Sequence, residues 1–562
     1  MTQEQQRHDG NDGGHGDGLL ARARAWLAED PDPATRAELS ALLEAGDTAA
    51  LAERFSGTLR FGTAGLRGEM GAGPMRMNRA VVIRAAAGLA SYLRDHARTP
   101  GLVVIGYDAR HRSADFARDT AAVITGAGGG MRAALLPRPL PTPVLAFAIR
   151  HLGAVAGAAV TASHNPPRDN GYKVYLGDGS QIVPPADRDI AAAIDAVGPL
   201  SSVPRPDTGW EVLGDEVLAA YLERSAAALT PGSPRTARVV YTPLHGVGGR
   251  VLAEAFTRAG FPAPAEVAQQ AEPDPDFPTV AFPNPEEPGA MDMAFAAARA
   301  LDPPPDLVIA NDPDADRCAL GVPDPAAEGG WRMLRGDETG ALLAAHLLDK
   351  GVTGTFAASI VSSSLVGEMA RAAGRPYQET LTGFKWLGRV PGLAYGYEEA
   401  LGYCVDPGGV RDKDGITAAL LAAELVSVLA AEGRTLLSLL DDLAVRHGVH
   451  ATDQLSLRVT DLALIEEAMR ADPPAELGGR AVIRAEDLRE GAGGLPPTDG
   501  LRYVMEGARV LVRPSGTEPK LKCYLEAVVP VSGRDALPAA RREAAALLAA
   551  LRADLAGRLP TP

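Results

Sequence analysis

The sequence predicts an α/β protein of three to four domains. Its 562 residues suggest that number at about 150 residues per domain. Short apolar runs alternate with helical stretches rich in Ala and Leu, which is typical of parallel sheets covered by helices. Several runs end in polar clusters, and ligands of such sheets bind outside the carboxyl ends of the strands. The runs predicted as strands are Leu102–Gly106, Val155–Thr161, Val239–Thr242, Leu307–Ala310, Phe356–Ile360 and Leu393–Tyr395.

The two ends of the chain differ from this pattern. Residues 1–18 are polar and rich in Gly and Asp, so we predict a disordered tail there. Residues 19–56 carry apolar positions at helical spacing and are predicted as an N-terminal helical segment. Near the C-terminus, two strand-like runs, Arg509–Val512 and Lys522–Val528, precede a stretch of helical spacing. This last part is predicted as a smaller α+β unit.

Stretches rich in Pro and Asp interrupt the chain at 196–209, 272–289 and 322–330. Because Pro and Asp favour turns, we predict linkers or long surface loops at these positions. A further break is predicted near 446–455.

Composition excludes several classes of protein. A net charge of −16 argues against a nucleic-acid partner, because binding to phosphate backbones needs a cationic surface. No apolar run reaches the ~18 residues of a membrane helix, and the start lacks the apolar core of a secretory signal. Cys318, Cys404 and Cys523 are far apart and form no paired motif, so we expect a reducing, cytoplasmic location.

Lysine is rare in this chain, with six lysines against 49 arginines. Such a compositional bias replaces Lys by Arg at positions where either cation is tolerated. A Lys that remains is therefore a candidate for a site that needs a compact ammonium group. Five of the six lie in or beside the motifs described next: Lys173, Lys385, Lys413, Lys520 and Lys522.

Two motifs follow predicted strands and carry chemically active groups. The first, TASHNPP at 161–167, offers Ser163 as a nucleophile in a loop stiffened by prolines, although Ser and Asn-Pro also form ordinary turns. His164 is adjacent in sequence and is expected to point away from Ser163. The second motif, DPDADR at 312–317, places three carboxylates on one face of an extended chain, where they repel one another unless a cation neutralises them.

The spacing of these carboxylates suits Mg²⁺ better than an EF-hand calcium loop. The sixth position of the EF-hand pattern, where Gly is required, is Arg317. Three protein ligands leave room for a phosphate oxygen and water, which is typical of Mg²⁺. A solvated acidic loop is the alternative.

Four further motifs are candidates for binding a sugar phosphate. The loop RPSGTEPK at 513–520 combines cations, hydroxyls and Gly, as a phosphate site does, and is otherwise a charged β-turn. The Glu pair of GYEEALGY at 396–403 can accept hydrogen bonds from sugar hydroxyls. RDKDG at 411–415 carries a further Lys. FGTAGLRG at 61–68 allows close backbone approach and presents Arg67 to an anion.

In their order along the chain, these motifs resemble the α-D-phosphohexomutase family. The resemblance spans about residues 58–530 and implies three similar α/β domains plus a smaller C-terminal α+β domain around a central cleft. It implies a phosphorylated Ser163 and Mg²⁺ bound by this serine and the three aspartates, with a sugar 1,6-bisphosphate as activator and intermediate. The aspartates are Asp312, Asp314 and Asp316.

The resemblance also implies roles for other residues. The reacting phosphoryl group would meet Arg317, Lys173, Lys413 and Arg67, and either lysine could act as the general base. The sugar and its distal phosphate would contact Thr382, Gly383, Glu398, Arg513, Ser515, Gly516 and Thr517. Ala400 stands where many members have a Ser that contacts the sugar, and Ala64 replaces another common Ser.

With the motifs assigned, the predicted organisation has five parts. They are residues 1–57 (tail and helical segment), 58–205 (α/β, phosphoserine loop), 206–322 (α/β, metal loop), 323–450 (α/β, sugar-binding loop) and 451–562 (α+β, phosphate-binding loop).

The predicted activity is a phosphosugar mutase that interconverts the 1- and 6-phosphates of glucose or mannose. A phosphopentomutase acting on ribose phosphates and a glucose-1,6-bisphosphate synthase are alternatives within the family. A hydrolytic phosphatase using the same serine and a non-catalytic sugar-phosphate binder are alternatives outside it. The expected partners are small sugar phosphates, with no nucleic acid and no membrane, and the sequence leaves the oligomeric state open.

Overall fold

The computed structural model describes residues 12–96, 101–458, 469–514 and 520–558. The described chain begins with three short helices: α1 (Asp12–Glu29), α2 (Pro33–Ala45) and α3 (Thr48–Arg54). Asp32 caps α2 by accepting a hydrogen bond from the Ala34 amide, and Leu39 and Leu51 lie in the apolar core of this bundle. Residues 12–18, predicted as a disordered tail, belong to α1, because the packed turns that follow extend the helix toward its N-terminus.

The first α/β unit is built on a six-stranded sheet with the order β1-β5-β4-β2-β3-β6. The strands β2, β3, β4 and β6 are parallel, whereas β5 runs antiparallel to both β4 and β1. Its strands are β1 (Leu66–Glu69), β2 (Leu102–Tyr107), β3 (Arg132–Leu135), β4 (Ala156–Val160), β5 (Asp169–Leu176) and β6 (Glu211–Val212). Its helices are α4 (Arg79–His96), α5 (Ser113–Gly126), α6 (Thr142–His151) and α7 (Ala186–Asp195).

The second unit has a five-stranded sheet with the order β11-β10-β9-β7-β8. The strands β8, β7 and β9 are parallel, and β10 and β11 add an antiparallel edge. The elements are α8 (Glu216–Ala227), β7 (Val239–Thr242), α9 (Gly248–Arg258), β8 (Ala265–Glu266), α10 (Asp292–Ala300), β9 (Leu307–Ala310), β10 (Ala319–Pro323) and β11 (Trp331–Met333).

The third unit has a four-stranded sheet with the order β13-β12-β14-β15, antiparallel only at β15. Its strands are β12 (Thr355–Ser359), β13 (Tyr377–Thr380), β14 (Leu393–Glu398) and β15 (Gly402–Cys404). Its helices are α11 (Gly336–Asp349), α12 (Leu365–Ala372), α13 (Phe384–Leu387), α14 (Gly415–Ala431) and α15 (Leu436–His447).

The fourth unit differs from the others, since all of its strands pair antiparallel in the order β16-β21-β20-β19-β18-β17. One long helix covers the sheet and shares its apolar core. The elements are β16 (Val449–Arg458), β17 (Glu476–Leu477), β18 (Arg480–Asp487), β19 (Leu501–Met505), β20 (Ala508–Pro514), β21 (Lys520–Val529) and α16 (Leu537–Arg558).

The first three units share one apolar core, formed largely by α6, α8, α9, α11 and α14. This shared core fixes the carboxyl edges of their sheets relative to one another. Among the described residues no single helix is long and apolar enough to cross a membrane; α14 and α15 reach the length and composition of a span only together, with a bend of 87° between them.

The structure differs from the sequence predictions in two respects, and a third prediction corresponds to a junction between two elements. The first three sheets are mixed rather than wholly parallel, because the short connections at their edges leave no room for a crossover helix. The first two sheets extend to β6 and β11, so we propose boundaries after Val212 and Met333 rather than at 205 and 322. The break predicted near 446–455 is the place where α15 ends and β16 begins.

Candidate active site

The loop that follows β4 presents Ser163. Its backbone has a φ of 51°, a left-handed conformation that non-glycine residues seldom adopt. Thr161 stabilises this turn, since the Ser163 amide donates to the Thr161 Oγ1 at 2.8 Å. The serine is only 3% exposed. A strained, buried hydroxyl at a strand end is typical of a functional position.

The loop that follows β9 presents the three aspartates. Ala315, between two of them, has a φ of 52°. The side chain of Asn311 closes the loop by donating to the Arg317 carbonyl at 2.5 Å, and the Arg317 amide donates to Asp312 Oδ1 at 3.0 Å. These bonds replace a regular turn and direct the carboxylates inward.

The serine loop and the aspartate loop meet although they lie in different units. Ser163 Oγ donates to Asp312 Oδ2 at 2.6 Å, across 149 positions of sequence. The Nδ1 atom of His164 lies 3.2 Å from the same Oγ, so the prediction that His164 points away is wrong: the left-handed turn at Ser163 swings the next side chain back. Burial, together with Arg317 and Arg67, holds the pKa of His164 well below its ordinary value.

The three carboxylates form a compact, fully buried cluster. One oxygen from each of Asp312, Asp314 and Asp316 lies within 4.8 Å of the others. Two oxygens, Oδ1 of Asp314 and Oδ1 of Asp316, are buried without any hydrogen-bond partner. Orphaned carboxylate oxygens that converge in this way fit a hard divalent cation, because burial without a partner is costly. The cluster could therefore hold a metal ion.

Two lysines approach the cluster from neighbouring units. Lys173 on β5 donates to Asp314 at 2.8 Å and to Asp316 at 3.2 Å, and Lys413 Nζ lies 2.8 Å from Asp316. Burial alone would lower the pKa of each lysine, but the carboxylates outweigh burial and raise it. Pairing with the carboxylates therefore favours the ammonium form of both lysines. A lysine that acts as a general base needs the opposite, a lowered pKa.

Two arginines complete the cationic surroundings of Ser163. Arg67 donates to the Asn165 side chain at 3.1 Å, and burial lowers its pKa. Arg317 lies 3.9 Å from Asp312 and 3.6 Å from Glu286, which comes from the loop between β8 and α10. The predicted catalytic residues and metal ligands are thus brought together at one point.

The predicted sugar-contacting residues lie in the third unit. The Gly383 amide donates to Glu398 Oε1, and Thr382, half-buried, precedes this contact. Lys385 donates to Thr63 Oγ1 at 2.6 Å, which links the FGTAGLRG loop to this region. Burial lowers the pKa of Lys385, and the positive charge of Arg513 in the fourth unit acts in the same direction.

The rest of the predicted distal phosphate loop is not covered. Ser515, Gly516 and Thr517 lie outside the described residues, which stop at Pro514 and resume at Lys520.

Sequence reasoning missed several residues that contact the site. Thr142 donates to Asp314 Oδ2 at 2.8 Å, and Glu286 reaches Arg317 from a stretch predicted to be a linker or surface loop. Arg110 binds the serine loop, and only its position in the polar cluster that follows β2 signalled it. The rarity of lysine pointed to Lys385, but no role was predicted for this residue.

Comparison with known proteins accounts for this arrangement. Four family models match the chain, described as phosphoglucomutase/phosphomannomutase alpha/beta/alpha domain I (residues 58–199), domain II (219–325), domain III (335–446) and the C-terminal domain (457–543).

Individual relatives match most of the chain. A Haemophilus influenzae protein named "Probable phosphomannomutase" is 48% identical, over 81% of this chain and 93% of that protein. A Mus musculus protein named "Phosphopentomutase" is 34% identical, over 93% of each. The crystal structure of a phosphoglucomutase/phosphomannomutase family protein from Burkholderia thailandensis has a TM-score of 0.66 and 20% identity, over 86% of this chain and 97% of that one, which shows the shared fold.

Proposed function

Because this chain belongs to the phosphoglucomutase/phosphomannomutase family, we propose that it interconverts the 1- and 6-phosphates of glucose or mannose through a phosphorylated Ser163. The observation that carries the proposal is the contact of Ser163 Oγ with Asp312 at 2.6 Å. A serine that hands on a phosphoryl group needs a cationic centre beside its oxygen, and the aspartate cluster supplies the ligands for one.

The reaction has two matched steps. In the first, a free sugar hydroxyl attacks the phosphorus of phosphoserine; the bond from phosphorus to Ser163 Oγ breaks, a bond to the sugar oxygen forms, and the hydroxyl proton passes to a base. The Ser163 oxygen takes up a proton as it leaves. The sugar 1,6-bisphosphate then reverses its orientation. In the second step, Ser163 Oγ attacks the other phosphorus of the bisphosphate; the bond from that phosphorus to its sugar oxygen breaks, and the proton that Ser163 releases passes by way of a base to that sugar oxygen.

The side chains around Ser163 suit the charge of the transferring group. Lys173, Lys413, Arg67 and Arg317 provide four positive charges, and because both lysines are held as ammonium groups, stabilising phosphoryl oxygens suits them better than removing a proton. Mg²⁺ bound by the three aspartates would add Lewis-acid stabilisation of the same oxygens.

Burial of the site protects the phosphoserine. Ser163 is 3% exposed and the three aspartates are fully buried, so the nucleophilic hydroxyl is shielded from bulk water. The sugar hydroxyl therefore replaces water as the acceptor, and Glu398 and Thr382 are placed to orient the sugar.

Replacing the nucleophile tests the proposal directly. Ser163→Ala is expected to abolish mutase turnover while the protein keeps its melting temperature within a few degrees. Intact mass of the wild-type protein should show a fraction carrying one phosphoryl group, which changes when substrate is added and is missing in the variant. Wild-type rates in Ser163→Ala would contradict the mechanism.

A phosphopentomutase is the second candidate. Ala400 lacks the hydroxyl that would meet a hexose, and the relative named a phosphopentomutase matches 93% of this chain. Values of kcat/KM for glucose, mannose and ribose phosphates rank the candidates. Net formation of glucose 1,6-bisphosphate would instead identify a synthase, and net release of phosphate a hydrolase.

Three buried, unpaired cysteines support a cytoplasmic location.

A further inference from the structure

A buried arginine holds the serine loop from behind. Arg110, in the turn after β2, is 4% exposed, and its two terminal nitrogens donate to three backbone carbonyls of the loop between β4 and β5 and to the carbonyl of the first residue of β5. The acceptors are the carbonyls of Ser163 (2.6 Å), Asn165 (2.5 Å), Pro166 (2.8 Å) and Asp169 (3.2 Å).

The carbonyls of Ser163, Asn165 and Pro166 lie outside the ladder of the sheet, and that of Pro166 also accepts a hydrogen bond from the Asp169 amide at 3.1 Å. The left-handed turn at Ser163 and the two prolines that follow turn the loop carbonyls inward, where an unpaired group costs free energy. A planar guanidinium offers N–H groups in a fixed fork, whereas a lysine ammonium is a compact charge with three rotatable donors. One arginine can therefore define the path of the whole loop.

Arg110 also touches the unit that carries the aspartates. The face of its guanidinium lies 4.9 Å from the ring centroid of Phe277, which is buried and comes from the loop between β8 and α10. The same loop supplies Asp276, which pairs with His111 at 2.8 Å. Arg110 therefore contacts both the serine loop of the first unit and the second unit, which carries Asp312.

The terminal nitrogens of Arg110 are fully used by the loop. Its four terminal N–H groups have four carbonyl acceptors, and Nε lies 3.5 Å from the buried Asp108. We propose that Arg110 is a positioning residue that holds Ser163 Oγ at Asp312 without itself touching the phosphoryl group. This inference rests on the function proposed above.

The test exchanges the guanidinium for an ammonium group. Arg110→Lys keeps the charge but cannot bridge four carbonyls, so kcat is expected to fall about 100-fold with KM changed less than about threefold. Arg235 offers a matched control, because it also donates to backbone carbonyls and lies 5.2 Å from an aromatic ring, that of Phe261, away from the site. Arg235→Lys should leave kcat unchanged.

Hydrogen exchange separates this inference from the proposed function. Backbone amides of residues 161–170 should exchange faster in Arg110→Lys than in the wild type, whether or not any sugar phosphate is turned over. If the wild-type protein is inactive, the proposed function is contradicted, and the exchange rates alone test the positioning role of Arg110. A folded Arg110→Lys protein with unchanged exchange, or with wild-type kcat in an active enzyme, overturns the inference.

A second variant covers the case in which Arg110→Lys does not fold. Phe277→Leu keeps all four carbonyl bonds and removes only the ring against the guanidinium. It is expected to lower kcat several-fold and to speed exchange of the serine loop, since Arg110 loses the cation–π contact that holds its guanidinium in place. Unchanged exchange in this variant overturns the inference.

Discussion

At the scale of single residues, Asp312 and Asp314 differ in how readily they lose a proton. Burial, followed by the negative charges of Asp314 and Asp316, raises the pKa of Asp312 well above its ordinary value. Burial alone would raise the pKa of Asp314, but Lys173 and Lys413 outweigh it and hold that pKa below its usual range. The cluster therefore keeps charge for a metal ion while two of its oxygens stay unbonded.

Removing one carboxylate charge should weaken cation binding. Asp316→Asn removes an anionic ligand and leaves the positive charges of Lys173 and Lys413 less balanced by carboxylates. The affinity for Mn²⁺ or Mg²⁺ should therefore fall at least about tenfold. Isothermal titration calorimetry measures this without reference to activity. Asp215→Asn is the control, because Asp215 is an exposed partner of Arg138 and should leave cation affinity unchanged. Equal affinity in both variants would place the cation elsewhere.

Glu399, beside Glu398, is held protonated near neutral pH. Burial, followed by the charges of Glu398 and Asp337, raises its pKa from 4.5 to about 8. Its carboxyl accepts hydrogen bonds from Ser359 at 3.1 Å and from Ser362 at 3.2 Å. As the pH rises, the unfolded chain loses this proton first, so stability is complete below about 4.5 and is lost as the pH rises through about 8.

A neutral isostere should remove this dependence on pH. Glu399→Gln is expected to melt a few degrees higher than the wild type at about pH 9 and at the same temperature at about pH 5. Differential scanning fluorimetry across that range measures the difference. A constant difference at every pH would show that Glu399 does not titrate with a raised pKa.

The chemistry of the site was predictable where composition made a residue rare. With six lysines in the chain, Lys173, Lys385 and Lys413 pointed to sites that need an ammonium group, and all three form polar contacts around the cleft. Arg110 could not be singled out in this way, because it is one of 49 arginines. Its importance lies in four carbonyls that only the folded loop brings together.

At the scale of elements, the first turn of α11 packs directly against the Glu398–Glu399 turn. Gly336 begins this helix, and a Cβ at that position would lie 1.7 Å from the Glu399 carbonyl oxygen. The helix can approach so closely only because glycine has no side chain. The backbone that carries Glu398 is therefore fixed by a helix outside the cleft.

Adding one methyl group at this contact should disturb sugar binding. Gly336→Ala must push the Glu399 backbone away, so KM for the sugar phosphate should rise about tenfold, and the melting temperature should fall. Steady-state kinetics and thermal unfolding measure both effects. Gly557→Ala, on the last turns of α16 with no heavy atom near the added Cβ, should change neither. An unchanged KM in a folded Gly336→Ala protein would contradict this arrangement.

Elements were predictable where a strand is a buried apolar run. Val239–Thr242 and Leu307–Ala310 were located to the residue, because a strand buried on both faces is apolar throughout. The stretch 272–289 is predicted as a linker or surface loop from its Pro and Asp content, yet it packs the buried Phe277 against Arg110 and brings Glu286 to Arg317. The Pro and Asp content of such a loop predicts its turns, but it does not predict which residues the loop's few apolar side chains contact.

At the scale of the whole molecule, the chain distributes one site over several units. The serine comes from the first unit, the aspartates from the second and Glu398 from the third, and their order in sequence carries no information on distance. All four family models match the chain, which explains why the family resemblance could assign the motifs to one site. The contact of Ser163 with Asp312 is known only from the structure.

The fourth unit is attached to the third through a buried ionic network. Arg509 on β20 lies 3.0 Å from Glu379 on β13 and 2.8 Å from Glu526 on β21. Glu526 in turn accepts hydrogen bonds from Ser363 and from the Ser364 amide. Burial would raise the pKa of Glu526, but Arg509 outweighs it and lowers the pKa to about 2.

Breaking this attachment should separate binding of the distal phosphate from chemistry at Ser163. Arg509→Gln removes the cation that Glu379 and Glu526 share, which leaves Glu379 paired with Arg502 and Glu526 beside His450. Removing one partner of a buried ion pair costs about 3–5 kcal/mol. The fourth unit carries Arg513, so KM for the sugar phosphate should rise at least about tenfold, while the phosphorylated fraction of Ser163 seen by intact mass stays at the wild-type level. Arg552→Gln is the control, because Arg552 pairs with Asp453 inside the fourth unit, and it should change neither value. An equal KM in the two variants would mean that the orientation of the fourth unit does not depend on the network around Arg509.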